Sequence, residues 1–202
     1  MRIFNVLCFI FLQGYFANSV RSESFKPGDI LLAPMNCYLC KLIEGETSSD
    51  YSHLFVYIGE GRFAHALSKV EYVYLSTIKK IVDKRRPMAL VRHTRSADFD
   101  PNILRSTFET KFNNLPYDKD FLWFNKDSFG RSKLYCSEFV LKLLNESFNL
   151  NLLPIPMTYD YQPQQWDFYF QSRAPRGLPG ISPSFFETHN EFIKIKYIYP
   201  GN

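Results

Sequence analysis

One cysteine and two histidines stand where thiol chemistry could be assembled. Cys136 begins the run Cys136-Ser137-Glu138-Phe139-Val140, which follows Lys133-Leu134-Tyr135 and has the spacing of a helix start. A thiol there meets unpaired backbone N–H groups and the positive end of the helix dipole. Both favour thiolate, and the same N–H groups can stabilise an oxyanion. The ordinary alternative is a buried, inert cysteine on an apolar face. His53 begins the β-forming run His53-Leu54-Phe55-Val56-Tyr57-Ile58, and His65 lies in Arg62-Phe63-Ala64-His65-Ala66 beyond Gly59-Glu60-Gly61. Imidazole titrates near neutral pH, so one ring can serve as base and the other as its orienting partner. Cysteine with histidine is an arrangement that activates a nucleophile.

The turn between the two histidines decides whether they can cooperate. A three-residue loop Gly59-Glu60-Gly61, built on a type I turn with a left-handed glycine last, pairs residues whose numbers sum to 120. His65 then faces Phe55, and His53 is its diagonal neighbour on the same face, about 7–8 Å away at the backbone. A two-residue loop would pair His65 with Val56 and put the histidines on opposite faces. The glycine spacing favours the first register.

The other reactive side chains read differently. Cys37-x-x-Cys40 lacks a second Cys or His pair for zinc. It also lacks the strand–helix βαβ setting of a redox motif, which leaves a local disulfide or two unpaired loop thiols. His93 and His189 sit among polar neighbours and read as surface residues. Glu138 is two residues from Cys136 and belongs to another helix face. The run Lys79-Lys80 to Lys84-Arg85-Arg86 reads as the solvated end of a helix.

The positioning elements follow from pattern. Ile30–Ala33, His53–Ile58, Arg62–Ala66, Val70–Leu75, Met88–Arg92 and Ile193–Tyr199 read as strands, the last with Ile193, Ile195, Tyr197 and Tyr199 on one face. Ser76–Lys84 reads as a short helix. Asp100-Pro101 opens a helix to about Asn113, with a cap and a first-turn proline. Tyr135–Phe148 is a helix whose Cys136, Phe139, Val140, Leu143 and Leu144 form one apolar stripe. Pro34 to Asp50 is loop-like, and the Pro- and aromatic-rich stretch from Leu153 to Pro183 reads as a cap over a surface. Antiparallel strands with segregated helices give a single α+β domain.

The chain has 202 residues, 46% of them hydrophobic, which suits one well-buried domain. Arg2 and the apolar run Ile3 to Leu12, followed by small residues, read as a secretory signal over residues 1–22, leaving a domain over 23–202. The expected product is exported, to a periplasm or the exterior, with no later membrane span. Without the signal the formal charge falls from +4 to +2, with 22 basic against 20 acidic residues, and no nucleic-acid partner is called for. Cys8 departs with the signal. Three cysteines then remain, so at least one thiol is unpaired within the chain.

Five segments together resemble a known family. They are Lys26-Pro27-Gly28-Asp29-Ile30, Tyr51-Ser52-His53, Tyr117-Asp118, Tyr135-Cys136-Ser137-Glu138-Phe139-Val140 and Ile181-Ser182-Pro183-Ser184-Phe185-Phe186. As a set they are similar to the permuted papain-like hydrolases, the YiiX/YebB-like branch of the NlpC/P60 superfamily. The resemblance spans nearly the whole mature chain. It implies a circularly permuted papain-like α+β fold, an antiparallel sheet packed against the helix that carries the cysteine. By position it implies Cys136 as nucleophile, His53 as general base and His65 in the place of the polar third member. That place is often acidic in close relatives, whereas lecithin:retinol acyltransferase-like relatives carry a second histidine. Tyr117 and Tyr135 are oxyanion or substrate contacts by the same carry-over.

The resulting expectation is an exported cysteine hydrolase of an amide or ester, requiring no cofactor or metal, with a cell-wall peptide or a lipid or acyl amide as substrate. The alternatives are an acyltransferase of the lecithin:retinol type and a non-catalytic ligand-binding module on the same fold.

Overall fold

A computed structural model describes residues 25–77 and 86–199. The expected signal, Cys8 and most of the expected helix over Ser76–Lys84 lie outside the described residues. Ser76 and Thr77 close a strand instead.

Six strands form one antiparallel sheet. They are β1 (Ile30–Ala33), β2 (His53–Gly59), β3 (Arg62–Leu67), β4 (Tyr72–Thr77), β5 (Met88–His93) and β8 (Phe192–Ile198), in the order β4-β3-β2-β1-β5-β8. A two-residue pair, β6 (Ile155–Pro156) with β7 (Pro179–Gly180), lies apart. The helices are α1 (Tyr38–Thr47), α2 (Pro101–Thr107), α3 (Cys136–Phe148), α4 (Pro163–Phe170) and α5 (Pro183–Thr188). The α+β class expected from the sequence holds.

Strand alternation sorts the core into two sides. Ile30, Leu32, Leu54, Val56, Ala89 and Val91 face the stripe Phe139, Val140, Leu143 and Leu144 of α3, together with Leu104 of α2. Leu31, Phe55, Phe63 and Met88 build a smaller cluster on the other side. Each fully buried large apolar side chain contributes about 1.5–3 kcal/mol, which makes the α3 stripe a major anchor. Asp100 caps α2 as expected, its Oδ1 accepting from the Asn102 N–H at 2.8 Å. The helix then passes into a π-helical turn over Phe108–Phe112 that buries both terminal phenylalanines.

Three expectations are corrected. Pro34 to Asp50 is not simply a loop, because α1 occupies Tyr38–Thr47 and buries Leu42 against Tyr159 and Trp166 of the cap. Gly45 is required there, since a Cβ would lie 2.2 Å from the Tyr161 ring. His93 is buried rather than at the surface, with its Nε2 2.9 Å from Glu191 Oε2. On β8 the residues expected on one face are divided by a register shift opposite Leu90 and Val91: Ile193 pairs with Arg92 and Tyr197 with Ala89, which alternate to opposite faces, and the buried residue is Phe192.

A buried ion pair ties β5 to the turn before β1. Arg92 Nε donates to Asp29 Oδ1 at 2.6 Å and Nη2 to Oδ2 at 2.8 Å. Asp29→Ala removes the carboxylate and leaves a buried guanidinium without this partner. The expected loss is about 3–5 kcal/mol, read as a lower midpoint in urea unfolding.

Candidate functional site

The hairpin reaches the expected register by a different route. Val56 pairs with Ala64 and Tyr57 with Phe63, both summing to 120, so the His65 and Phe55 rings meet with centroids 4.5 Å apart. The loop, however, has two central residues, Glu60 and Gly61, at φ +53° and +69°. Two positive φ values are the signature of a type I′ turn, not type I. A register shift between Tyr57 and Gly59 supplies the extra residue, as a β-bulge does.

The two histidines are thereby joined. His53 Nε2 lies 3.0 Å from His65 Nδ1, with the rings tilted 76° to one another. Both are nearly enclosed, at 5% and 2% exposure. Phe55 lies edge-on to His53, and Tyr74 lies 4.3 Å from the His65 ring centre. Burial lowers His53 to about 3 and His65 to about 2, the latter helped by the neighbouring imidazole. Both rings are neutral at physiological pH. If His53 donates from Nε2 to His65 Nδ1, the remaining proton of His65 sits on Nε2, which is buried without a partner. In that tautomer Nδ1 of His53 is free to accept a proton.

Cys136 opens α3, with Tyr135 in extended backbone at the N-cap. It is the free cysteine among the described residues. Its sulfur lies among backbone N–H groups of Ser137, Leu54 and Cys136 itself, all of which favour thiolate. Enclosure outweighs them and pushes the thiol up to about 11. The sequence-based expectation of a helix-start thiolate is therefore corrected: desolvation wins, and the resting group is a neutral thiol. Leu54 adjoins His53 in β2, so the helix end meets the strand beside that histidine.

Cys136 and His53 line one cavity of about 300 Å³, at the lower end of small-molecule pockets. Tyr117 and Tyr135 line it too, and burial holds both phenols well above their ordinary range. Tyr135 has a structural bond, because its hydroxyl accepts the Ile181 N–H at 2.9 Å. Ser137 Oγ donates to the Ile181 carbonyl at 2.7 Å, so the tail crosses the helix start under double restraint.

The remaining wall is mostly apolar, and the sequence points only to the cap as a covering stretch without singling out these residues. It includes Leu39 and Ile43 of α1, Phe121, and Met157, Tyr159 and Trp166 of the cap. The apolar spacing Leu39, Leu42, Ile43 was the available signal. Glu46 also lines the cavity, but its Oε1 accepts from Thr158 and the Asp160 N–H, and its Oε2 from the Tyr161 N–H. These bonds hold its carboxyl below the usual range against a desolvation that acts the other way. Exposed Lys69 brings the other charge.

Glu138 is buried against Lys142, whose Nζ donates to Oε1 at 2.6 Å. Desolvation raises it to about 7 despite that cation. His189 is half-buried and stacks on Phe185, apart from the cavity. Cys37 and Cys40 are joined in a disulfide.

No family model and no curated protein matches this chain. Among solved structures it is similar to the crystal structure of the metalloprotein YiiX from Escherichia coli O157:H7. The TM-score is 0.71 at 18% identity, over 87% of this chain and 98% of that one. The fold is YiiX-like.

Proposed function

We propose, from this YiiX-like fold and the side chains gathered at its cavity, that the chain is an exported cysteine hydrolase of the permuted papain-like type. The observation that carries the reading is the His53–His65 hydrogen bond at the cavity that also holds the helix-start thiol of Cys136. His65 fixes the imidazole tautomer, and His53 removes the thiol proton as sulfur attacks an acyl carbonyl. With both partners neutral at rest, proton transfer accompanies attack; no ion pair precedes it.

The backbone N–H of Cys136 contributes to the oxyanion site. As the tetrahedral adduct collapses, protonated His53 returns its proton to the leaving amine or alcohol, and a thioester remains on Cys136. Water then attacks the thioester, giving its proton to His53, and the acid and free thiol are released.

The apolar wall supports an N-acyl amide or ester over a charged cell-wall peptide, since Glu46 is already engaged by the cap. The similar YiiX is described as a metalloprotein. Among the described residues no group of three or more His, Cys, Asp or Glu side chains could hold a metal ion, so the residues do not fit such a centre. No step is routed through one.

Intact-mass analysis after incubation with acyl amides, acyl esters and cell-wall peptides tests the reading. An acyl adduct that maps to Cys136 and disappears in Cys136→Ala is expected; full labelling of the folded variant would sink it. Competing amine and alcohol acceptors separate hydrolysis from acyl transfer. The thiol pushed up to about 11 favours a second reading, a ligand-binding module without turnover. That reading predicts retained ligand and no adduct with any of the three probes.

A further inference from the structure

We propose that Cys37–Cys40 is an exchangeable disulfide, attacked at Cys37 by an external dithiol. This goes beyond the hydrolase reading and does not rest on it. In sequence the motif lacks the setting of a redox pair. The structure supplies the local part of that setting: β1 ends at Ala33, and the motif begins α1 with Cys37 at the N-cap.

The two sulfurs are unequal. Cys37 is exposed, whereas Cys40 is buried at 7% exposure. Cys37 Sγ accepts the Cys40 N–H at 3.1 Å, and the first turn of α1 carries no acidic residue to oppose negative charge. Helix dipole and N–H donor together stabilise a Cys37 thiolate. Both cysteines also line the cavity, so the pair borders a cleft rather than a closed core.

The chemistry balances with a dithiol as the reductant. One of its thiolates attacks Cys37 Sγ, the Cys37–Cys40 bond breaks, and Cys40 leaves as a thiolate that takes a proton. The second external thiolate attacks the external sulfur of the mixed disulfide and expels Cys37 as the stabilised thiolate. Two electrons pass from the dithiol, which becomes a disulfide, to the cysteine pair.

The test uses the full chain in a Cys136→Ala background, with alkylation mapped by peptide so that Cys8 is read separately. Dithiothreitol without denaturant is expected to expose both Cys37 and Cys40 to alkylation while the far-UV circular dichroism stays unchanged. With glutathione disulfide, Cys40→Ser is expected to form its adduct at Cys37 about tenfold faster than Cys37→Ser forms one at Cys40, because Cys37 is exposed at the helix start and accepts the N–H at position 40, whereas Cys40 is buried. Reduction that requires denaturant, or that collapses the circular dichroism signal, would make the bond a structural staple and overturn the proposal. Equal adduct rates, or a faster Cys40, would overturn the assignment of Cys37.

Discussion

His53→Ala is expected to slow acylation of Cys136 by about 10²–10⁴-fold, the range supplied by a positioned general base. The size of the effect follows from the resting state. A thiol at about 11 yields little thiolate at neutral pH, so attack depends on the base at the moment of reaction. Addition of imidazole to the variant should restore part of the rate, because the missing group is a proton acceptor. Circular dichroism and urea unfolding of His53→Ala separate lost chemistry from lost fold. A rate within threefold of the parent in a folded variant would remove His53 from the mechanism.

Acid should destabilise the protein through the same two rings. In the folded chain His53 titrates near 3 and His65 near 2, whereas unfolded histidines titrate near 6.5. Below about pH 6.5 the unfolded chain therefore binds up to two more protons, and stability falls as pH falls. Each histidine contributes about 1.4 kcal/mol per pH unit in that window. Glu138 acts with the opposite sign. Its folded value of about 7 exceeds that of an unfolded carboxyl, so the folded chain holds an extra proton there until the pH falls below about 4.5.

The net slope between about pH 6.5 and 4.5 is then one proton, about 1.4 kcal/mol per unit, in place of two. Urea unfolding across that range should show the smaller slope in the parent and about twice that slope in Glu138→Gln. His53→Gln with His65→Gln should reverse its sign. A parent profile flat from pH 7.5 to 4.5 would contradict the burial of the histidines.

Much of this site was legible in sequence because it depends on short-range pattern. β1, the β2–β3 hairpin and α3 are dense in β-formers or carry a helical stripe, and the glycines at 59 and 61 restrict the register. The parts that escaped depend on tertiary contact. α1 is ten residues long with its apolar residues confined to the stretch from Tyr38 to Ile43, and it is fixed by Leu42 against Trp166 and Tyr159, far along the chain. His93 reads as exposed beside Arg92 and Arg95, yet Arg92 turns inward to Asp29 and His93 is buried with it. Nor does a helix N-terminus reveal the state of its thiol. The dipole is visible in the sequence, whereas the enclosure that outweighs it comes from the sheet, the cap and the tail at Ile181.

The bulge in β2 makes the site a question of parity. Strand side chains alternate with a period of two, so every one-residue change between Tyr57 and Arg62 exchanges the faces of β3 relative to β2. One loop of two residues and one bulge residue together keep His65 beside His53. Loss of the bulge residue alone would turn the second imidazole to the opposite face and bring Ala64 or Ala66 to the first. Removal of one further residue would restore the pairing of faces in a tighter hairpin. Length variation at this turn is thus filtered as even or odd: even changes preserve the imidazole pair, and odd changes dissolve it without touching a single site residue.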